Sequence, residues 1–289
     1  MKNFRIPTNL LSTSNAKTTK GEKMGYTTYI MYLAPHTQNS KGINLCSHAS
    51  KGCAKACLFG SGSARFDEVQ NGKRNKTEYY LGDRKLFMNQ LVKEITKAER
   101  LHKLIDGEKQ YKKNGVNVLR YKDFAIRLNG TSDIPFEKIK LDNGLNIFEM
   151  FPNVTFYDYT KNHIRFNKVL PKNYHLTFSM SEDNKEISLS LLNKGIVNVA
   201  MVFGVKKESE LPNQYKGFKV INGDESDLRF LDEKNVIIGL KYKLMTGKGT
   251  KGINKENVDT NDFIINVSKL DVETKLNKIY NKVTNKELS

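Results

Sequence analysis

A chain of 289 residues with 38% hydrophobic and 27% charged side chains can bury one substantial core, which excludes wholesale disorder. Its 48 Lys and Arg against 31 Asp and Glu leave a formal charge of +17, an excess that favours a polyanionic partner, although Lys- and Asn-rich usage scattered over a solvated surface gives the same balance. No run reaches the roughly 18 apolar residues needed to cross a bilayer, and the first 25 residues lack the apolar segment of a signal peptide, so the chain is expected in the cytoplasm, away from membranes.

Residues 1–25 are polar and aperiodic and read as an irregular arm. The β-branched and aromatic run Tyr26–Leu33 predicts a buried strand, stopped by Pro35. A cysteine loop over residues 44–60 follows, then a Gly/Ser stretch that feeds a helix. From Thr77 to Ile105, Leu81, Leu86, Phe87, Leu91, Ile95, Ala98, Leu101, Leu104 and Ile105 recur at helical spacing and predict one helix. After a turn at Lys113-Asn114-Gly115, strand-like runs recur at 124–128, 154–157, 175–179, 197–203 and 236–240, with a weaker one at 218–221. Their alternation with connections of about twenty residues predicts βαβ units, a mostly parallel sheet and a barrel-like domain over residues 26–243. Residues 244–262 read as a basic loop, and Val267–Val283 as a closing C-terminal helix, the two together making up 244–289.

Three cysteines, Cys46, Cys53 and Cys57, lie within twelve residues at C-x6-C-x3-C spacing. An odd, clustered set in a reducing compartment points to ligation rather than to disulfides, because thiolates this close repel one another without a cation. Gly52 and the small residues around it let the backbone curl. Three ligands suit an iron–sulfur cubane with one iron left open. A structural zinc would want a fourth ligand, with His48 or His36 nearest, and three unrelated buried cysteines is the plain alternative.

In parallel sheets the working residues follow the carboxyl ends of strands, and four polar clusters fall there: Cys46–Cys57, Asn129–Asp133, Tyr159-Thr160-Lys161 and Ser179–Asp183. Arg127 and Asp133 suit either a salt bridge or a shared ligand. Tyr157 and Tyr159 share a strand face and can stack on a base or pack as core. His163 and His175 fit no metal spacing, and the glycines at 247, 249 and 252 make no phosphate loop.

The stretches Asn44-Leu45-Cys46…Gly52-Cys53…Cys57-Leu58-Phe59, Arg127-Leu128-Asn129-Gly130-Thr131-Ser132-Asp133 and Phe156-Tyr157-Asp158-Tyr159-Thr160-Lys161 resemble the phage gene product 88 family over roughly residues 25–205. That family is distantly similar to radical S-adenosylmethionine (SAM) enzymes. The resemblance implies a partial (βα)6 barrel of the TIM-barrel type, a [4Fe-4S] cluster on Cys46, Cys53 and Cys57, and SAM chelated to the open iron. It implies Asn129, Gly130, Ser132 and Asp133 near the SAM amine, with Ser179, Ser181 or Glu182 towards the ribose and Tyr157 towards the adenine. Radical SAM enzymes space their cysteines C-x3-C-x2-C, so it is the inventory of three thiolates that carries over and not the motif.

The leading expectation is therefore a radical-SAM-like protein that modifies a nucleotide or nucleic acid, takes an electron from a donor, and uses Asp133 and Lys161 in catalysis. The alternatives are a zinc-containing, transglycosylase-like barrel with Asp133 or Asp158 as nucleophile, and a non-enzymatic nucleic-acid-binding protein whose metal only folds the loop.

Overall fold

The computed structural model describes residues 4–13, 21–55, 57, 66–113, 116–242 and 263–267. The 244–262 loop and nearly all of the expected C-terminal helix lie outside these residues.

Every strand expected from the β-branched and aromatic runs is present. The strands are β1 (Leu11–Ser12), β2 (Thr27–Met31), β3 (Glu108–Lys113), β4 (Val116–Tyr121), β5 (Phe124–Arg127), β6 (Thr155–Thr160), β7 (Tyr174–Ser179), β8 (Val199–Phe203), β9 (Gln214–Tyr215), β10 (Phe218–Asn222), β11 (Ile237–Lys241) and β12 (Ile264–Ile265). The main sheet has the order β1-β2-β5-β6-β7-β8-β11-β10-β9, with β12 on the far end of β8. From β2 through β10 each neighbouring pair in that order is parallel.

The result is a mixed α/β protein with a mostly parallel, open sheet. The expected mostly parallel α/β sheet is present; it is open and closes into no barrel among the described residues. β1 and β9 form its two ends, and β11 slips between β8 and β10. After β5 the connections are 3-10 turns and short helices, namely Phe136–Lys138, α4 (Ile147–Met150), His163–Asn167, Glu182–Asn184, Glu208–Glu210 and Arg229–Leu231, with one longer helix, α5 (Lys185–Asn193). Pro135, Pro152, Pro171 and Pro212 fall in these connections, and each removes a helical N–H and clashes with the preceding turn.

The expected single helix from 77 to 105 is instead two, α2 (Asp67–Gly82) and α3 (Arg84–Lys103), after the single turn α1 (Lys51–Lys55). Asp83 makes the break: its carboxylate accepts from Leu86 N–H at 3.0 Å and starts α3, while its own N–H donates to Tyr79 O and ends α2. Phe87, Leu91 and Ile95 of α3 recur at i, i+4, i+8 and are fully buried in the cluster that holds Ile126, Leu128 and Phe156. Burial of each such side chain contributes about 1.5–3 kcal/mol. The opposite face carries Ala125 and Tyr157 under Leu228 and Phe230.

The N-terminal arm is not loose. The backbone N–H groups of Leu10 and Leu11 donate to the Glu94 carboxylate at 2.8–3.0 Å, and β1 pairs antiparallel with β2. The arm thereby covers what would be an exposed parallel edge. No helix among the described residues is long and apolar enough to cross a membrane.

β3 and β4 form a separate two-stranded sheet. Its base is tied to α3 by His102, whose Nδ1 donates to Tyr121 O at 2.6 Å while its Nε2 accepts from the Tyr29 hydroxyl at 2.9 Å. Burial holds this imidazole neutral, with its pKa pushed down from 6.5 to about 4. The unfolded chain takes up a proton near pH 6.5 that the folded chain refuses until about 4. Stability from this group is therefore complete above that window and is lost as pH falls through it. Thermal melts from pH 7 to pH 4 should show this loss in the parent and a flatter profile in His102→Gln; equal slopes would refute it.

Candidate functional site

The cysteine loop leaves the carboxyl end of β2 through Pro35 and His36, the latter in the left-handed region at φ 52°. Leu45 N–H donates back to His36 O at 3.1 Å and closes the first half of the loop. Two contacts dock it on the segment after β5: Asp133 N–H donates to Leu45 O at 2.9 Å, and the Cys46 thiol lies 3.8 Å from Thr131 O.

The second half is held from the segment after β7. Glu182 accepts from Gly52 N–H at 2.6 Å and from the Ser50 hydroxyl at 2.7 Å, and Ser50 Oγ in turn accepts from Cys53 N–H at 3.1 Å. One carboxylate thus fixes the turn that carries Cys53. Gly52 makes the approach feasible, since a Cβ there would stand 2.8 Å from both Glu182 oxygens and from Phe263 Cβ. Gly52→Ala should displace Glu182 and lower stability by about 1–3 kcal/mol. A Gly52→Ala protein with parental melting would show that the latch is not needed.

The three cysteines form no disulfide and are half-buried. Burial pushes the Cys46 thiol up to about 12, with further upward pressure from Asp133, Cys57 and Cys53 against a hydrogen bond from the His36 backbone. Cys53 is also raised, chiefly by burial and then by Cys57, Glu182 and Asp133, with Lys161 opposing. Cys46 therefore feels both other thiols and Cys53 feels Cys57, which places them in one electrostatic neighbourhood. Two buried ammonium groups flank it. Lys161 is lowered by burial and raised back by Cys53, Asp133, Glu182 and Cys46; Lys73 is lowered by burial and raised by Cys57. Among the described residues no three His, Cys, Asp or Glu side chains are arranged around a single metal-ion position. His36 and His48 hydrogen-bond locally, to Thr37 and Ser47.

Around the thiols the remaining candidates are brought together, but mostly by bonding to one another. Lys161 Nζ donates to Ser179 Oγ at 2.9 Å, Met180 O at 3.0 Å and Ser179 O at 3.3 Å, so this lysine ties β6 to β7 beside Cys53. Asp133 Oδ2 accepts from Thr160 Oγ1 and Lys161 N–H, and its Oδ1 pairs with Arg165 at 3.0 Å. Asp133 is thus a clamp between strands, paired with Arg165, while Arg127 pairs with Asp227 at 2.7 Å.

Asn129 spends its side chain on Asp158, Ser132 and Ile134, and Ser132 donates to it, so both build the turn after β5. Gly130 lets that turn press on β2, because a Cβ there would lie 2.7 Å from Met31 O. Tyr157 is fully buried on the opposite face beside Phe230, at 5.6 Å between ring centroids, and is therefore remote from the cysteine loop's contacts. Asp158 is fully buried with Oδ1 accepting from Asn129 N–H and Oδ2 from Asn129 Nδ2 and Tyr174 OH, an environment unlike that of a nucleophile.

Sequence reasoning missed Arg165, Lys73 and the role of Glu182. Arg165 is 3% exposed and makes a two-pronged pair with Glu137 at 2.9 and 2.7 Å besides reaching Asp133 and Tyr174. Its neighbours, Asn162-His163-Ile164 and Phe166-Asn167, give no periodic signal.

Fold and site together define an α/β protein with an open, mostly parallel sheet that carries a cysteine loop at the carboxyl ends of its strands. The chain belongs to the gene product 88 family, whose model it matches over residues 9–256. No curated protein and no solved structure matches it.

Proposed function

We propose that this chain is an iron–sulfur protein of the radical SAM type that acts on a nucleotide or nucleic acid. The observation that carries the reading is the shared neighbourhood of Cys46, Cys53 and Cys57 at the carboxyl ends of parallel strands, flanked by the buried ammonium groups of Lys161 and Lys73. Buried lysines gain from negative neighbours, and thiolates pushed upward by burial need positive charge to ionise; this charge balance supports a metal–sulfur centre, although binding it would require the three sulfurs to close on a common position.

Cys46, Cys53 and Cys57 would hold the cluster. When bound, a [4Fe-4S] cluster on three cysteines leaves one iron open to SAM and supplies the single electron for its cleavage. Within the chain, Glu182 and Ser50 orient the loop, Lys161 and Lys73 offset its negative charge, and Asp133 fixes the distance between the β5 and β6 ends. The backbone of the 129–133 turn and the Ser179 hydroxyl border the space next to the thiols, where SAM would lie. β2, β5, β6, β7 and β8 follow one another in chain order, as the first five strands of a partial (βα)6 barrel would, and this supports the comparison. Reduction requires an external electron donor.

The test is metal content and the visible spectrum of protein purified without oxygen, followed by equilibrium binding of SAM. About four irons per chain with absorbance near ~400 nm and SAM binding supports the proposal. A colourless protein with about one zinc overturns it in favour of a structural metal.

A further inference from the structure

We propose that the sheet face opposite α3 is a binding groove for single-stranded nucleic acid anchored on Arg127, and that the strap over residues 223–235 covers it, with Asp227 in the place of a phosphodiester and Phe230 in the place of a base. The choice of nucleic acid rests on the function proposed above, whereas the groove and its cover rest on their own geometry.

β10 and β11 are parallel neighbours, so the chain must return from the carboxyl end of one to the amino end of the other. The strap makes this return far across the sheet rather than over its own two strands. Leu228 packs on Ala125 of β5 and Tyr157 of β6, and Phe230 meets Tyr26, Tyr157 and His175 at 5.3, 5.6 and 5.8 Å between ring centroids. The two ends are bonded to the sheet, by Gly223 N–H to Gly239 O and Lys241 N–H to Asp224 at one end, and by Asn198 Nδ2 to Glu233 O at the other. Over 225–232 the backbone–backbone hydrogen bonds among the described residues stay within the strap. The middle is thus held to the sheet through side chains.

That interface is poorly satisfied. The Tyr157 hydroxyl, Arg127 Nε and Arg229 Nη1 are buried and make no hydrogen bond among the described residues. Such atoms keep an uncompensated desolvation cost. The ion pair between strap and sheet is Asp227 on Arg127 Nη1, at 2.7 Å. Burial and then Asp227 push the Tyr157 hydroxyl well above its ordinary range. Burial opposes the Arg127 charge, and Asp227 is the largest of the groups that hold it above its ordinary value. One carboxylate therefore lies beside both a guanidinium and an unpartnered hydroxyl.

The ligand class follows from what the strap puts there. A guanidinium fork matches the oxygens of a carboxylate or a phosphate. The group that replaces Asp227 should carry one negative charge, as a phosphodiester does, because a phosphomonoester brings a second one near Asp158, 3.9 Å from Arg127 Nε. With the strap lifted, Tyr26, Tyr157 and His175 present rings on which unstacked bases rest, which a duplex does not offer. Tyr159, whose ring centroid is 4.7 Å from the Arg127 guanidinium carbon, keeps that anchor in place. The strap itself carries five acids, Asp224, Glu225, Asp227, Asp232 and Glu233, against Arg229 and Lys234, in a chain of formal charge +17. It is an acidic, aromatic segment laid on a basic protein, the character of the strand it would give way to.

The experiment joins titration calorimetry of the full chain with hydrogen exchange on the parent. The probes are the dinucleoside monophosphates of thymidine and of uridine, each with one phosphodiester and two bases. At saturation they should raise exchange of the 225–232 amides at least about fivefold and leave β5 and β6 unchanged. Asp227→Asn removes the competing carboxylate and should tighten binding about tenfold, because the ligand no longer displaces a charged cover. Arg127→Met/Asp227→Asn should lose that gain, and the uncharged methylphosphonate dinucleotide should bind at least about tenfold more weakly than the phosphodiester. The proposal is overturned by absent binding, by strap exchange unmoved at saturation, or by a double variant that keeps the gain. Equal affinity for the methylphosphonate, or acetate competing as well as the dinucleotide, overturns it too. The exchange arm needs no variant and decides even where Asp227→Asn does not fold. Iron content on the same samples separates the two readings: dinucleotide binding to colourless protein leaves the groove standing without a cluster, and absent binding to iron-loaded protein removes the groove alone.

Discussion

Replacing Cys46, Cys53 or Cys57 by alanine, one at a time, should abolish the visible absorbance at about 400 nm proposed for the anaerobically reconstituted parent, and drop bound iron from the proposed value of about four per chain towards zero. The size of the effect follows from the number of ligands. A cubane on three thiolates already has one open iron, and a second open iron on the protein side leaves it held at two corners. The loss should be nearly complete at each position. Serine at Cys57, which the Glu182 latch does not hold directly, should do no better than alanine. Melting temperatures should move little, because all three residues are only half-buried and the loop is anchored independently by Asp133 N–H on Leu45 and by Glu182 on Gly52. A single alanine variant that keeps both colour and iron would show that its cysteine is no ligand, and the proposed centre would fall with it.

Arg165→Met should produce the largest loss of stability, about 3–5 kcal/mol, seen as a drop in melting temperature of about 10 °C or more. Arg165 sits where Glu137, Asp133 and Tyr174 converge, and its own side chain is 1% exposed. Removal leaves Glu137 without its two-pronged partner and Asp133 without one of its three contacts, both in a site from which water is largely excluded. Arg165→Lys keeps the charge but not the planar fork, and should recover only part of the loss. Adding Glu137→Gln to Arg165→Met removes one stranded charge and should restore some stability, the sign that distinguishes a charge effect from lost packing. An Arg165→Met protein that melts with the parent would mean that this network contributes nothing. Asp133 also holds Lys161 N–H and the cysteine loop, so metal loading should fall in Arg165→Met as well.

Much of the sheet was legible in the sequence because its strands are short, apolar and rich in β-branched and aromatic residues. Tyr26–Leu33 and the runs at 124–128, 154–157, 175–179, 197–203, 218–221 and 236–240 all contain strands. How far the sheet curls towards a barrel was not legible, since strand spacing alone says nothing of β11 inserting beside β8. The sequence carries a turn signal at Asn114-Gly115, but the segments EKQYKK and VNVLRY, which form β3 and β4, lack the apolar alternation that marks a half-buried strand. Gly82-Asp83 carried the helix break as a terminator followed by a cap, and was masked by apolar periodicity that happens to run on through it.

Of the site, the polar clusters after the strands were visible, and the parallel sheet does bring them together. What each residue does there was not. Asn129, Ser132 and Asp133 look like ligand-binding residues by position, yet bond chiefly to one another, to Asp158 and to Arg165. Glu182 meets Gly52 across 130 residues of sequence, a separation that leaves no local pattern to read, and Lys73 feels Cys57 from a helix whose legible signal is its buried Tyr79 and Tyr80.

All three sulfurs come from a single short excursion of the chain, while the groups that steady it, Asp133, Lys161 and Glu182, lie just past β5, β6 and β7 and are laid down much later in translation. A nascent chain therefore displays its thiols well before their scaffold exists. On the proposed reading, iron delivered at that stage would find three tethered but unaligned donors, and insertion would wait until the Glu182 carboxylate has gripped the 50–52 turn.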